Sequence, residues 1–290
     1  MLTTHTGNFP IGYRRGWTEW HKNLPNLIEW LKSHELSVLD LGHADEKSVR
    51  QITDAGMKVG SVDAPDWGKL MSPDKTTREA AVEKNATYMQ GLAKLGVQNF
   101  FMVMLPEKPE APRAENFEHL TASMKALAPR MEACGARLVI EGYPGTGALC
   151  CTPEGYRALF KAVPSKTMGI NFDPSHLLRM GIDPVRFLRE FADRVYHVHG
   201  KDTEIIAEGV YEYGHEQPAT FAKAHGFGAH GWRYAIPGHG QTRWTETFRI
   251  LKEHGYKGAV CIELEDENFN GSEEGEKRGI LAGAHYLASC

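Results

Sequence analysis

The sequence has no apolar run longer than the six residues Phe100–Leu105, against the roughly 20 needed to cross a bilayer. Met1–Pro10 carries neither the basic start nor the apolar stretch of a secretory leader. No membrane partner is expected, and the expected compartment is the cytoplasm. Cysteine is scarce: five residues, an odd number, with no CxxC spacing. That excludes a disulfide framework and a zinc finger and leaves reduced, mostly structural thiols. No cluster of Lys and Arg breaks the even scatter of 33 basic and 37 acidic residues, net charge -4, so no phosphate-tracking surface for nucleic acid is expected. No GxGxxG follows the first strand pattern, no composition break marks a second domain, and no low-complexity segment occurs.

What the chain does contain is an ordinary globular balance, 41% hydrophobic and 10% aromatic over 290 residues. That length fits two domains or one large α/β barrel. At Gly56, Gly96, Gly135 and Gly255 an amphipathic stretch stops and a short apolar run soon begins. Glycine supplies the left-handed residue that ends a helix. The runs that follow (59–62, 100–105, 138–140 and 259–264) read as buried parallel strands. The preceding helices carry apolar residues at steps of three and four, as in Phe117, Leu120, Met124, Leu127 and Met131. Adding 9–13, 38–41, 168–173 and 195–199 brings the strands to eight. The alternation predicts a single (β/α)₈ TIM barrel domain over residues 1–290, with a doubly wound open sheet as the alternative.

One segment breaks the rhythm. Residues 203–242, after the seventh strand, are rich in Gly, His and aromatics, among them Tyr211, Tyr213, Trp232, Arg233, Tyr234 and His239. A loop of this length is a functional lid or disorder, and the aromatics favour the lid.

In such a barrel the chemistry sits where strands end. Four consecutive strands end in a metal-binding type: Leu138-Val139-Ile140-Glu141, Gly169-Ile170-Asn171-Phe172-Asp173, Val195-Tyr196-His197-Val198-His199 and Val260-Cys261-Ile262-Glu263. Any one acid can simply mark the return to solvent. Three carboxylates meeting at one rim repel one another unless a cation neutralises them. Mixed oxygen and nitrogen donors suit manganese, magnesium, cobalt or zinc. One divalent cation held by Glu141, Asp173, His199 and Glu263 is therefore expected.

Other polar residues admit a structural reading as well. His176, in Asp-Pro-Ser-His, lies beside the metal or belongs to a helix-capping turn. His197 shares the face of His199 or is a satisfied core histidine. Lys201 and Asp202 bind substrate oxygens or form a surface ion pair. Glu265 competes with Glu263, which is preferred because it closes the buried part of its strand. His43 and Asp63 line the mouth or lie in solvated loops, and Arg233 and His239 are candidate covers over the substrate.

The set Ile-Glu141, Asn-Phe-Asp173-Pro-Ser-His176, His197-Val-His199-Gly-Lys201-Asp202 and Ile-Glu263 resembles the xylose-isomerase-like barrel superfamily, the sugar phosphate isomerase/epimerase group. In its ketose 3-epimerases two glutamates, an aspartate and a histidine hold one divalent cation, and the glutamates also move protons. The resemblance implies that role for Glu141 and Glu263 and a sugar contact for His176. Those epimerases carry an arginine six residues past the metal histidine, where this chain has Ile205. With Lys201-Asp202 and the Trp232-Arg233-Tyr234 loop, this is closer to members acting on keto-inositols or 3-keto sugars, some of which eliminate rather than epimerise. AP endonucleases of the same superfamily need additional zinc-binding histidines, which the third and fourth strand ends lack. The implied chemistry is proton abstraction next to the carbonyl of a small sugar through an enediolate. Epimerisation, isomerisation, elimination, a sugar-binding barrel without turnover and self-association all stay open on the sequence.

Overall fold

The eight expected apolar runs are strands in the computed structural model, which describes residues 1–216 and 218–290; Gln217, inside the long segment, lies outside the described residues. In chain order the strands are β1 (Ile11–Arg14), β2 (Val38–Leu41), β3 (Lys58–Asp63), β4 (Asn99–Val103), β5 (Arg137–Glu141), β6 (Met168–Phe172), β7 (Val195–Gly200), β8 (Asp202–Ile205), β9 (Trp232–Ala235) and β10 (Val260–Ile262). Eight of them close in the hydrogen-bonded order β1-β10-β7-β6-β5-β4-β3-β2, with helices between strands as in a (β/α)₈ barrel. Every residue of β4 and β6 is buried. Covering on both faces is why these strands read as unbroken apolar runs rather than as alternation.

Helix ends fall where glycine allows them. The helix Arg113–Cys134 stops at Gly135, whose φ of 73° is left-handed and whose N–H reaches back to the carbonyls of Met131 and Glu132. The other three junction glycines, Gly56, Gly96 and Gly255, also have positive φ.

The chain forms two compact units. The first comprises Met1–Leu39, Asp173–Asp193 and Val198–Cys290; the second comprises Asp40–Phe172 and Arg194–His197. In the second, β4 and β5 pair from Asn99↔Arg137 to Val103↔Glu141, and β5 and β6 pair up to Glu141↔Asn171. In the first, β10 pairs with β7 so that Cys261 stands opposite His199. The five cysteines are free thiols. Among the described residues no helix is long and apolar enough to cross a membrane.

The segment after β7 has structure of its own. β8 and β9 pair antiparallel, Asp202↔Ala235 through Ile205↔Trp232, and the helix Ala207–Tyr213 lies between them. These four-residue strands, Asp-Thr-Glu-Ile and Trp-Arg-Tyr-Ala, lack the apolar run that betrays a barrel strand. A buried acid pins the ribbon. Asp202 Oδ1 accepts from Thr203 N (2.9 Å), Thr242 N (2.9 Å) and Thr242 Oγ1 (2.7 Å), and Oδ2 accepts from Trp244 Nε1 (3.1 Å). Burial raises the Asp202 pKa, and these donors oppose the shift. Asp202 is thus a clamp on the return of the chain to the barrel.

Asp202→Ala strands several buried donors together, so it should cost about 3 kcal/mol of folding free energy. Urea denaturation measures this, and a loss below about 1 kcal/mol would show that the clamp is dispensable.

Candidate metal centre

Most of the chemistry-bearing side chains belong to the first unit. Asp173 stands one residue past β6 and caps the helix Pro174–Arg179, its Oδ1 accepting from Ser175 N at 2.9 Å and Ser175 Oγ at 2.6 Å. Those bonds fix the carboxylate and leave Oδ2 buried without a hydrogen-bond donor. Near it stand Lys201 Nζ at 3.2 Å and His176 Nε2 at 3.4 Å. His199, on β7, is fully buried, with Nδ1 3.5 Å from Glu263 Oε2. Glu263 follows β10 by one residue.

Lys201 is 2% exposed, so it is no surface ion pair. Its ammonium lies 2.5 Å from Glu263 Oε2 and 3.0 Å from Glu265 Oε2, over the Tyr234 ring at 4.7 Å. Burial by itself would push the Glu263 carboxyl up. The Lys201 ammonium, His199 and, at 4.0 Å, Arg14 instead hold it well below the usual carboxylate range. Glu263 is thereby kept ionised.

Glu141 ends β5 in the second unit, is 4% exposed, and accepts from Asn171 Nδ2 at 2.8 Å. In the first unit Asp173, His199 and Glu263 each offer a ligand atom, and these atoms lie within 4.8 Å of one another. Lys201 lies against the carboxylates of Asp173, Glu263 and Glu265, with Arg14 4.0 Å from Glu263, and the remaining negative charge is what a divalent cation balances. A donor set of carboxylates and an imidazole fits manganese, magnesium, cobalt or zinc.

The remaining expected residues divide. His176 is buried beside Asp173, with Nδ1 2.7 Å from Tyr234 Oη. His197 is a satisfied core histidine, its Nε2 2.7 Å from Asp40 Oδ2. Glu265 reaches Lys201 but is not in the four-residue group. Arg233 gives Nε to Glu204 at 2.7 Å and Nη1 to Asp266 at 2.9 Å, with its side chain 12% exposed. Its guanidinium ties the ribbon to the chain after β10. His43 stacks on Tyr88, and His239 packs near Phe269.

Sequence reasoning missed Arg14, Asn171 and Arg179. Arg14 closes β1 next to its own apolar run, a strand-end signal of the kind that located the acids. Asn171 lies two residues before Asp173, on its face of the strand. Arg179 had no such signal: its Nη1 donates to Tyr234 Oη at 2.7 Å and its Cζ lies 4.3 Å over the Trp232 ring, contacts that exist only once β9 is in place. Burial pushes the Tyr234 hydroxyl pKa up, against the pull of Lys201 and Arg179, so it stays protonated.

Comparison with known proteins agrees with this frame. Uncharacterized protein YfiH of Bacillus subtilis (strain 168) is 36% identical over 151 residues, 49% of this chain and 44% of YfiH. The inosose dehydratase of Clostridium tetani (strain Massachusetts / E88) is 28% identical over 153 residues, 53% of this chain and 48% of that protein. The chain spans about half the length of the curated relatives it matches. A crystal structure of D-psicose 3-epimerase in the presence of D-fructose superposes with TM-score 0.71 at 14% identity, covering 97% of this chain and 100% of that one, a likeness of fold. Residues 26–290 match the model of the xylose isomerase-like TIM barrel. The chain belongs to the xylose isomerase-like TIM barrel family.

Proposed function

We propose that this protein, acting as one barrel domain over residues 1–290, is a divalent-metal-dependent sugar isomerase or epimerase. It takes a proton from the carbon next to the carbonyl of a keto sugar or keto-inositol. The observation that carries this reading is the meeting of Asp173, His199 and Glu263 ligand atoms within 4.8 Å, with Glu141, the acid that ends β5, as the fourth ligand of the proposal. We assign those four residues as ligands, Glu141 and Glu263 also as proton carriers, and His176 and Lys201 as contacts to substrate oxygens. The compartment we assign is the cytoplasm, where free thiols persist.

A divalent cation held there supplies Lewis acidity that stabilises negative charge developing on a substrate carbonyl oxygen. The chain does the rest. A carboxylate is a weak base toward a carbon acid, so Glu141 and Glu263 depend on positioning, which can contribute several kcal/mol. Asn171 holds Glu141, and Lys201, His199 and Arg14 hold Glu263. With the two carboxylates on opposite faces of the enediolate, one removes a proton and the other returns it, and the centre inverts. Lys201 lends a cationic hydrogen-bond donor to a second oxygen.

A lyase is the second reading, favoured by the inosose dehydratase among the relatives and by the buried ammonium of Lys201. If a leaving hydroxyl sits β to the carbonyl, the same enediolate expels it, with Lys201 or a glutamate protonating the departing oxygen.

Incubation with a panel of keto sugars and keto-inositols in deuterated water should put solvent deuterium at the α-carbon. Epimer formation selects the first reading, loss of water selects the second, and absence of exchange and turnover across the panel argues for a binding barrel. Glu141→Gln and Glu263→Gln should each cut turnover at least about 100-fold in folded protein; activity retained in both refutes the assignment.

The protein as purified should carry a single bound divalent cation per chain by elemental analysis. Dialysis against a chelator should abolish turnover, and manganese should restore it. Full activity in chelator-treated, metal-free protein counts against the centre.

A further inference from the structure

Tyr234 is buried, 4% exposed, and nothing in the proton transfers requires it. Its Oη lies 2.7 Å from Arg179 Nη1 and 2.7 Å from His176 Nδ1, and its ring meets the imidazole edge-on, centroids 5.3 Å apart at 77°. A guanidinium only donates, so Oη accepts from Arg179. The phenolic proton then has His176 Nδ1 as its acceptor, and leaving a buried hydroxyl unpaired costs more than the bond is worth. At the far side of the ring, His176 Nε2 stands 3.4 Å from Asp173 Oδ2. A bare nitrogen there would set its lone pair against a carboxylate oxygen, whereas an N–H meets that oxygen with opposite partial charge. Hydrogen-bond accounting at one end and electrostatics at the other select the same tautomer, with the proton on Nε2.

The ribbon supplies what this chain of contacts needs. Trp232 and Tyr234 share one face of β9. Arg179 lies over Trp232 at 4.3 Å while it donates to Tyr234, and Arg233, between them in sequence, is held by Glu204 and Asp266. We propose that Tyr234, anchored by Arg179, is a positioning residue that locks His176 as the Nε2-protonated imidazole and thereby fixes Asp173 for cation binding. The second half of this inference rests on Asp173 as a metal ligand; the tautomer does not.

The test uses full-length protein carrying ¹⁵N-histidine, saturated with magnesium at neutral pH. Long-range ¹H–¹⁵N correlation reads both ring nitrogens, and His176 is identified through its contacts with the Tyr234 ring. Wild-type protein should show a protonated Nε2 and a bare, hydrogen-bonded Nδ1; a proton on Nδ1, alone or with one on Nε2, overturns the proposal. In Tyr234→Phe the His176 Nδ1 resonance should move toward that of an unbonded ring nitrogen. The dissociation constant for manganese, measured by calorimetry with the metal alone, should rise about tenfold. An unchanged resonance or an unchanged manganese affinity in a folded variant overturns the proposal equally. Where circular dichroism shows that the variant does not fold, the wild-type spectrum decides. Retained turnover in Glu141→Gln and Glu263→Gln would defeat the functional reading without touching the His176 spectrum, so the two failures stay distinct.

Discussion

Repulsion between carboxylates that the fold forces together is the constraint on which the rest of this molecule depends. Asp173, Glu263 and Glu265 are gathered beside a buried imidazole, and unpaired charge in such a place is costly. The chain answers in part with its own cation. Lys201 puts its ammonium against Glu263, Glu265 and Asp173. A single positive charge that touches three carboxylates cannot neutralise them all, and a group so balanced remains a strong cation site. That residual imbalance ties the electrostatics to the proposed chemistry: the negative charge of the carboxylates draws a divalent ion, while the positive charge of Lys201 and Arg14, with His199, keeps Glu263 ionised.

Two further buried acids explain why the segment after β7 is not a free loop. Asp202 accepts from Thr203, Thr242 and Trp244. Asp266 accepts from Arg233 Nη1 at 2.9 Å, Ile236 N at 3.1 Å and Asn268 N at 3.0 Å. Each uses its carboxylate to collect backbone and side-chain donors from remote parts of the sequence, as a buried charge must to offset its desolvation. Between these clamps β9 is held in place, and Tyr234 is delivered to His176. Acids of one chemical type therefore split by environment. Asp202 and Asp266 are saturated with donors and hold structure, while Asp173 turns Oδ2 toward the Lys201 ammonium at 3.2 Å and His176 Nε2 at 3.4 Å.

This split marks what the sequence could and could not disclose. The barrel was legible because β4, β5 and β6 are covered on both faces and must be written as apolar runs, and because Gly135 and its counterparts end helices in a conformation other residues avoid. Glu141, Asp173, His199 and Glu263 were legible because a strand-end acid or histidine is read directly from the run before it. For Asp202 and Arg233 the sequence shows only polar residues near the mouth, and the tertiary partners, Trp244 for one and Asp266 for the other, show their charges to be engaged. Arg179 and the two strands of the ribbon left no periodic trace, because four-residue polar strands pair through contacts about thirty positions apart.

The ionisation of Glu263 also bears on how the work of catalysis is divided. Lowering its pKa makes it a poorer base. A glutamate tuned by burial alone would be a better base but would be protonated for part of the time at neutral pH and would bind a cation weakly. Lys201 and His199 move the balance toward cation binding and away from basicity. In the proposed reaction acidification of the substrate falls mainly to the cation and to oriented donors, and the side chains are held accordingly: Ser175 fixes Asp173, Asn171 fixes Glu141, and Arg179 fixes Tyr234 against His176. A carboxylate too weak to act by basicity alone acts through geometry, which is why so many buried hydrogen bonds end at this one rim.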